Sequence, residues 1–328
     1  MERLYKDKYG ETFYGMSVQS VCRMKDTVLG SDAVPVSGEA LYQWRIKAQA
    51  DAQKAGVLLY VVDWFLQGLS SLTQSELSLG AYRDRVVPLQ HPLTWLTQQW
   101  QRRLTDRVPV QYLVGETPWR DLMLTITPDV LIPRPETELI VEIVRAERQK
   151  QTLEPQVWAD LGTGSGAIAI ALAKMFPLSK VLAVDISPEA LAVACQNAQR
   201  NSVENLEFYQ GSWFEPLVNW HGRLSGVVTN PPYIPSQVVL NLDPEVTNHE
   251  PHQALDGGND GLDDIRLLID QAPRFLQPGG LWLTEHMQGQ AQVIAALLAA
   301  KGVYKDIQIH SDLAGINRFV SATFCSAE

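Results

Sequence analysis

From about residue 155 the chain alternates short apolar strands with helical patterns, and no other feature limits its fold so tightly. Strands are expected at QVWAD (156–160), KVLAVD (180–185), LEFYQG (206–211), SGVVTN (225–230), GLWLTEH (280–286), VYKDIQIH (303–310) and RFVSATF (318–324). Helices are expected over 165–176, from Ser187 and Pro188 onward, over 263–275 and over 288–300. Ser187 suits an N-cap and Pro188 the first helical position. Alternation of this kind implies a parallel sheet covered by helices on both faces. The last two strands are joined through SDLAGIN with no helix between them, which predicts one antiparallel strand closing the sheet edge.

The preceding chain reads differently. Residues 1–36 lack sustained periodicity and are expected to form a disordered extension. Residues 37–114 are helical in pattern. Leu58, Val61, Val62, Phe65 and Leu66 share one helix face, and Leu93, Leu96, Trp100 and Leu104 share another. Pro92 marks a helix start and Pro109 a stop. A small helical bundle follows from this, with a hairpin or linker over 115–130, where Leu122, Leu124 and Ile126 alternate with polar residues. Residues 131–328 make the α/β domain, which opens on a helix near Glu136.

Composition narrows the function classes. Hydrophobic residues make up 45% and charged residues 20%, as in globular enzymes. A net charge of −10 argues against a protein that grips long stretches of nucleic acid. The start, MERLYKDKYG, has no apolar core, and the runs GVLLYVV and AIAIALA are too short to span a bilayer, so neither a secretion signal nor a membrane segment is expected. Cys22, Cys195 and Cys325 are widely spaced and form no CxxC, which reads as reduced thiols of a cytoplasmic protein. Cys195 falls in an Ala-rich helical pattern and reads as packing.

The chemistry begins at WADLGTGSGAIAIALA. Gly162, Thr163, Gly164, Ser165 and Gly166 lie between the first strand and the first helix, where glycines permit tight turning and close approach of a ligand. Gly162, Gly164 and Ala167 also satisfy the dinucleotide fingerprint, so NAD is a candidate. Asp160, just before the glycines, would repel a pyrophosphate but suits a cationic ligand such as S-adenosylmethionine, with its ammonium and sulfonium. Asp185 ends the second strand, where its carboxylate can accept both ribose hydroxyls of either ligand. Trp213, in GSWFEP after the third strand, stands where an adenine would lie and can stack on it.

NPPY, residues 230–233, follows the fourth strand at the carboxyl edge of the sheet, where ligands of open α/β sheets bind. An amide nitrogen is a poor nucleophile because its lone pair is delocalised into the carbonyl. The Asn230 side-chain oxygen can accept one N–H of a planar –NH₂ group, and the Pro231 carbonyl can accept the other. Pro231 and Pro232 hold that carbonyl in place and offer no competing donor. Two acceptors draw the lone pair out of conjugation, while Tyr233 can press its ring on the planar group. Displacement at an activated methyl then needs mainly positioning, without a metal.

At this point LIPRPETELIV, DLGTGSGAIAIALA, NPPYI, HEPHQALDGGNDGLDDIR and DLAGINRFV resemble the HemK/PrmC family, the peptide chain release factor glutamine methyltransferases, from about residue 37 to 325. The resemblance implies a seven-stranded class I S-adenosylmethionine-dependent methyltransferase sheet, Rossmann-like, over 131–328. It also implies a helical N-terminal domain over 37–114 that docks the substrate. That substrate would be the glutamine of the Gly-Gly-Gln motif in class I peptide chain release factors, the product N5-methylglutamine, and the enzyme a monomer with no direct nucleic-acid substrate. Asn230, Pro231, Pro232 and Tyr233 would hold the glutamine. Gly162 to Gly166, Asp185, Trp213 and Asn230 would contact the cofactor. NPPY alone is shared with adenine-N6 methyltransferases of DNA and RNA, because adenine presents a similar –NH₂. Ser212 stands where some relatives have Asp.

His249 and His252 flank Glu250, but Pro251 breaks any helix there and no third ligand follows, so no metal site is expected. Arg134, between two prolines, is expected to orient the elbow or to pair with an acid such as Glu136. The run from Asp256 to Asp264 reads as a turn and helix entrance.

Overall fold

The computed structural model describes residues 33–148 and 156–325. They divide into two units. One holds the chain up to Thr127 together with Asp243–His249, and the other holds Pro128–Leu242 and the chain from Glu250 on.

The first unit contains β1 (Val34–Ser37), α1 (Gly38–Lys54), α2 (Tyr60–Leu69), α3 (Gln74–Leu79), β2 (Val86–Leu89), α4 (Leu93–Thr105), α5 (Val110–Val114), β3 (Glu116–Trp119) and β4 (Leu122–Thr125). The expected apolar stripe of α2 is buried at Val61, Val62, Phe65 and Leu66, each worth roughly 2 kcal/mol on transfer from water. The unit is not purely helical. Val34–Val36, assigned above to the extension, pair with Val87–Leu89, assigned to the bundle, as an antiparallel ladder that Ser37 and Val86 complete. The β-branched Val86 and Val87 favour this, and a two-stranded ladder tolerates Pro88. Residues 1–32 of the expected extension, with Cys22, lie outside the described residues.

Helix α4 ends at Asp106 because Arg107 turns left-handed at φ +60°. Pro109, expected as the stop, instead opens α5. Arg103 of α4 is 1% exposed and donates to Glu245 at 2.8 Å, and Arg107 reaches the same oxygen at 2.6 Å. Such a buried cation demands a carboxylate partner, and this pair fastens the Asp243–His249 segment to α4. His249 Nε2 lies 2.7 Å from the Asp106 carbonyl. Strands β3 and β4 form the expected hairpin, with Leu122, Leu124 and Ile126 buried.

The second unit opens on α6 (Glu138–Arg148) and continues through β5 (Val157–Leu161), α7 (Ala167–Met175), β6 (Lys180–Asp185), α8 (Pro188–Arg200), β7 (Leu206–Gln210) and β8 (Leu224–Thr229). It ends with α9 (Asp263–Gln271), β9 (Leu276–Glu285), α10 (Ala291–Ala300), β10 (Tyr304–Ser311) and β11 (Asn317–Phe324). The sheet order is β10-β11-β9-β8-β5-β6-β7. Every residue of β8 is buried, as befits a central strand covered on both faces. The antiparallel strand does not close the edge as expected. β11 lies between β9 and β10, antiparallel to both, and β10 is the edge. The chain through α10 passes over one vacant position, and β11 returns by a hairpin to fill it. Cys195, read as packing, is only half-buried.

Register decides what meets at the carboxyl edge. Leu161 is paired with Val184 on one side and with Thr229 on the other, and Thr229 with Thr284. One residue further on stand Asp185, Gly162, Asn230 and Glu285. Strand β5 is therefore the switch point between β6 and β8, and the glycine loop and the NPPY elbow leave the sheet side by side.

Candidate active site

The glycine loop is bonded to its own scaffold. The N–H groups of Gly162 and Thr163 both donate to the Val184 carbonyl at 2.9 Å. Gly162 (φ +74°) and Gly164 (φ +53°) take left-handed conformations that a side chain would resist. A Cβ on Gly162 would stand 3.3 Å from the Trp213 ring, whereas one on Gly164 would meet nothing within 4 Å. Gly162 thus lets the indole lie on the loop, and Gly164 presents bare backbone to open space. Thr163 and Ser165 are buried, and Asn197 of α8 donates to the Ser165 carbonyl at 2.9 Å.

Asp160 is fully buried. Its Oδ2 accepts from the Thr163 hydroxyl at 2.6 Å and from the Ala169 N–H in the first turn of α7 at 3.1 Å. Its Oδ1 has no partner among the described residues. Burial pushes its ionisation up to about 7. Asp185 Oδ2 accepts from the Gly164 N–H at 2.8 Å and Oδ1 from the Ser187 N–H at 3.0 Å. Burial raises its pKa as well. A carboxylate offers about four acceptor sites, so each oxygen retains capacity for another donor.

Trp213 sits in the left-handed region at φ +50°, and its indole N–H donates to Asp264 Oδ1 of α9 at 3.1 Å. The neighbouring Ser212 N–H donates to Glu215 at 3.3 Å.

The elbow is held from two sides. On its backbone, the Ile234 N–H donates to the Leu255 carbonyl, the Gly257 N–H to the Ile234 carbonyl, and Gln290 Nε2 to the Tyr233 carbonyl at 2.9 Å. A Cβ on Gly257 would stand 2.6 Å from the Pro232 carbonyl oxygen, and one on Gly261 2.2 Å from that of Tyr233. The loop 255–261 and the elbow can approach this closely only as glycine. On its side chains, Asn230 Nδ2 donates to the Thr137 hydroxyl at 3.3 Å, Thr137 to Glu285 Oε2 at 2.6 Å, and the Tyr233 hydroxyl to Glu285 Oε1 at 3.2 Å. Glu285 is 2% exposed, and burial lifts its pKa to about 7. Burial also raises that of Tyr233, which is therefore a neutral phenol. With its nitrogen engaged by Thr137, the Asn230 amide has its oxygen left as an acceptor.

A family model described as a methyltransferase domain matches residues 157–315. The release factor glutamine methyltransferase of Synechocystis sp. is 49% identical over 292 residues, which are 88% of this chain and 97% of that protein. This chain belongs to the release factor glutamine methyltransferase family. The family member from Thermosynechococcus vestitus is 45% identical over 88% of this chain and 99% of its own, and that of Gloeobacter violaceus 40% over 84% and 94%. The hMettl16 catalytic domain, in complex with the MAT2A 3′UTR hairpin 6, is 13% identical and covers 82% of this chain and 92% of its own at a TM-score of 0.52. That likeness, with the family model, identifies the fold as the class I S-adenosylmethionine-dependent methyltransferase sheet.

In this family member the loop residues Gly162 to Gly166, Asp185, Trp213 and the elbow residues 230–233 all gather at one end of the sheet unit. Arg134 pairs with an acid, as expected, and that acid is Glu250, at 2.8 and 2.9 Å. Asp160 spends one oxygen on the loop and on α7. Among the described residues no group of three or more His, Cys, Asp or Glu side chains could hold a metal. No described helix is long and apolar enough to cross a membrane. Sequence reasoning did not single out Thr137, Asp264, Gly257, Gly261 or Glu285. The first four lie in the strings RPET and DGGNDGLDD, but Glu285 carries no local signature.

Proposed function

We propose that this chain transfers the methyl group of S-adenosylmethionine to the side-chain amide nitrogen of the glutamine in the Gly-Gly-Gln motif of class I peptide chain release factors, giving N5-methylglutamine. Family membership carries the reading, and the elbow supplies its chemistry. The residues present fit the cofactor: bare backbone at Gly164, spare acceptor capacity on Asp185, and a buried, unpartnered Oδ1 on Asp160. In this reading Gly162 to Gly166, Asp185, Trp213 and Asn230 hold S-adenosylmethionine, which when bound supplies a methyl already activated by its sulfonium.

The chain's own residues then act on the amide. Asn230 Oδ1 accepts one N–H and the Pro231 carbonyl the other, so the nitrogen lone pair is held away from its carbonyl and directed along one line. Tyr233 and Pro232 pack against the planar carboxamide. The bound cofactor would supply the electrophilic methyl to the nitrogen so held, and the methylated nitrogen would release its proton to water. Fixing two reactants in line supplies much of the rate. The first unit docks the release factor, and the Gly-Gly-Gln loop enters the elbow. The protein works as a monomer in the cytoplasm.

Labelled S-adenosylmethionine offered with a release factor, with its Gln-to-Ala variant and with duplex DNA tests the reading. Label is expected on the glutamine-bearing factor alone, and Asn230→Ala should nearly abolish it. Label on DNA, or equal label on the variant lacking the glutamine, would overturn it.

A further inference from the structure

We propose that Glu285 is a positioning residue for methyl transfer: through Thr137 it sets which end of the Asn230 carboxamide faces the substrate, and through the Tyr233 hydroxyl it holds the aromatic wall of the elbow. The proposal rests on the amide-binding role given to NPPY above.

The geometry runs through four side chains. Glu285 is the last residue of β9, one position beyond Thr284, whose partner on β8 is Thr229. Its carboxylate therefore stands next to the base of the elbow, 2% exposed. Asn230 donates to Thr137, Thr137 donates to Glu285, and Tyr233 donates to the other oxygen of Glu285, at 3.3, 2.6 and 3.2 Å. Thr137 is itself buried, and its backbone N–H is tied to the Arg134 carbonyl at 3.2 Å.

Direction follows from counting protons. A hydroxyl has one proton and a carboxylate has none. Once Thr137 has given its proton to Glu285, it can offer Asn230 only lone pairs. The amide must then turn its –NH₂ to Thr137, and its oxygen is left toward the open side of the elbow. That is the orientation a substrate –NH₂ requires. Were Glu285 to become a donor, Thr137 could turn its proton to Asn230, and the amide could rotate to present hydrogen to hydrogen. An isolated buried carboxylate costs several kcal/mol. Glutamine at the same position would have only one acceptor oxygen for two hydroxyls.

The ionised form is held in balance by its surroundings. Thr137 and Tyr233 donate to it, Arg318 of β11 faces it while engaged with Asp312 at 3.3 Å, and Glu136 opposes its charge. Its pKa of about 7 places the change of state in the neutral range. Transfer should therefore rise with pH through that range as Glu285 ionises.

The test uses the full chain with a Gly-Gly-Gln release factor and measures single-turnover transfer, S-adenosylmethionine affinity and thermal melting. Glu285→Gln and Thr137→Val are expected to slow transfer about 10- to 100-fold, with cofactor affinity unchanged. Thr137→Ser, which keeps the hydroxyl, should restore most of the rate. The limb near pH 7 should weaken in Glu285→Gln, in which Asp160 still titrates in that range. If that variant does not fold, the contrast between Thr137→Val and Thr137→Ser decides. Wild-type rates in Thr137→Val, or equal losses in both Thr137 variants, would overturn the proposal, as would an unchanged limb in a folded Glu285→Gln. Failure of the wild type itself to label the factor would instead overturn the proposed function, and the positioning role with it.

Discussion

Replacing Gly261 with alanine should damage catalysis through the backbone of the elbow alone. Its Cβ would stand 2.2 Å from the Tyr233 carbonyl oxygen and 2.7 Å from Gln290 Nε2, against 3.4 Å for an ordinary contact. The carbonyl must therefore retreat by about 1 Å, since 3.4 − 2.2 = 1.2. Gly261 also sits at φ +76°. Left-handed alanine costs about 1–2 kcal/mol, and overpacking about 1–3 kcal/mol more. The sum, about 2–5 kcal/mol, leaves a typical domain folded. Misplacing a reacting group by about 1 Å costs on the order of 100-fold in rate. Single-turnover transfer at saturating S-adenosylmethionine should drop by that factor while cofactor affinity holds. Gly302→Ala provides the comparison: φ is +69° there, but no atom lies within 4 Å of its Cβ, so it should lose stability without losing rate. A Gly261→Ala protein that melts cooperatively and transfers at the wild-type rate would show that loop 255–261 does not position the elbow.

Other substitutions probe separate parts of the site. Asp264→Ala deprives the Trp213 indole of its acceptor and should weaken S-adenosylmethionine binding about 3- to 10-fold. Calorimetry showing no change would remove Trp213 from the cofactor pocket. Among the described residues, Arg134→Met leaves the buried Glu250 carboxylate the Ile132 N–H at 3.4 Å as its hydrogen-bond donor, and urea unfolding should register a loss of about 3 kcal/mol or more. A loss under about 1 kcal/mol, the level of a surface pair, would contradict that assignment. Asp160 binds its proton more tightly folded than unfolded, so its contribution to stability is full below its ordinary pKa of 3.8 and is lost as pH rises through about 7. Asp160→Asn should therefore gain stability relative to the wild type between pH 5 and 8, by up to about 4 kcal/mol. Parallel stability curves would show that Asp160 does not titrate there.

Much of the fold was legible because its signals are local. A parallel strand must be apolar along its length, a helix must carry a stripe, and each of the seven predicted sheet strands appears within a few residues of its expected place. The shape of the loop and of the elbow was legible wherever the backbone itself sets it. Three glycines and two prolines leave few alternatives to a loop that a ligand can approach and an elbow that cannot bend. Strand order was less accessible: SDLAGIN announces a hairpin, but nothing in it says that β11 inserts beside β9 instead of closing the edge. The ladder of β1 with β2 was missed for a related reason, since four residues carry little periodicity and gain their partner only through folding.

The sequence alone determined which short segments could serve as strand, glycine loop and stiff acceptor, because those properties belong to the residues and their immediate neighbours. Only the tertiary structure decided that Glu285 stands beside Asn230, that Thr137 joins them, and that Asp264 claims the Trp213 indole. A glutamate, a threonine or an aspartate has no intrinsic assignment. Each acquired one from its place in the fold, which brings residues far apart in the chain within hydrogen-bonding distance.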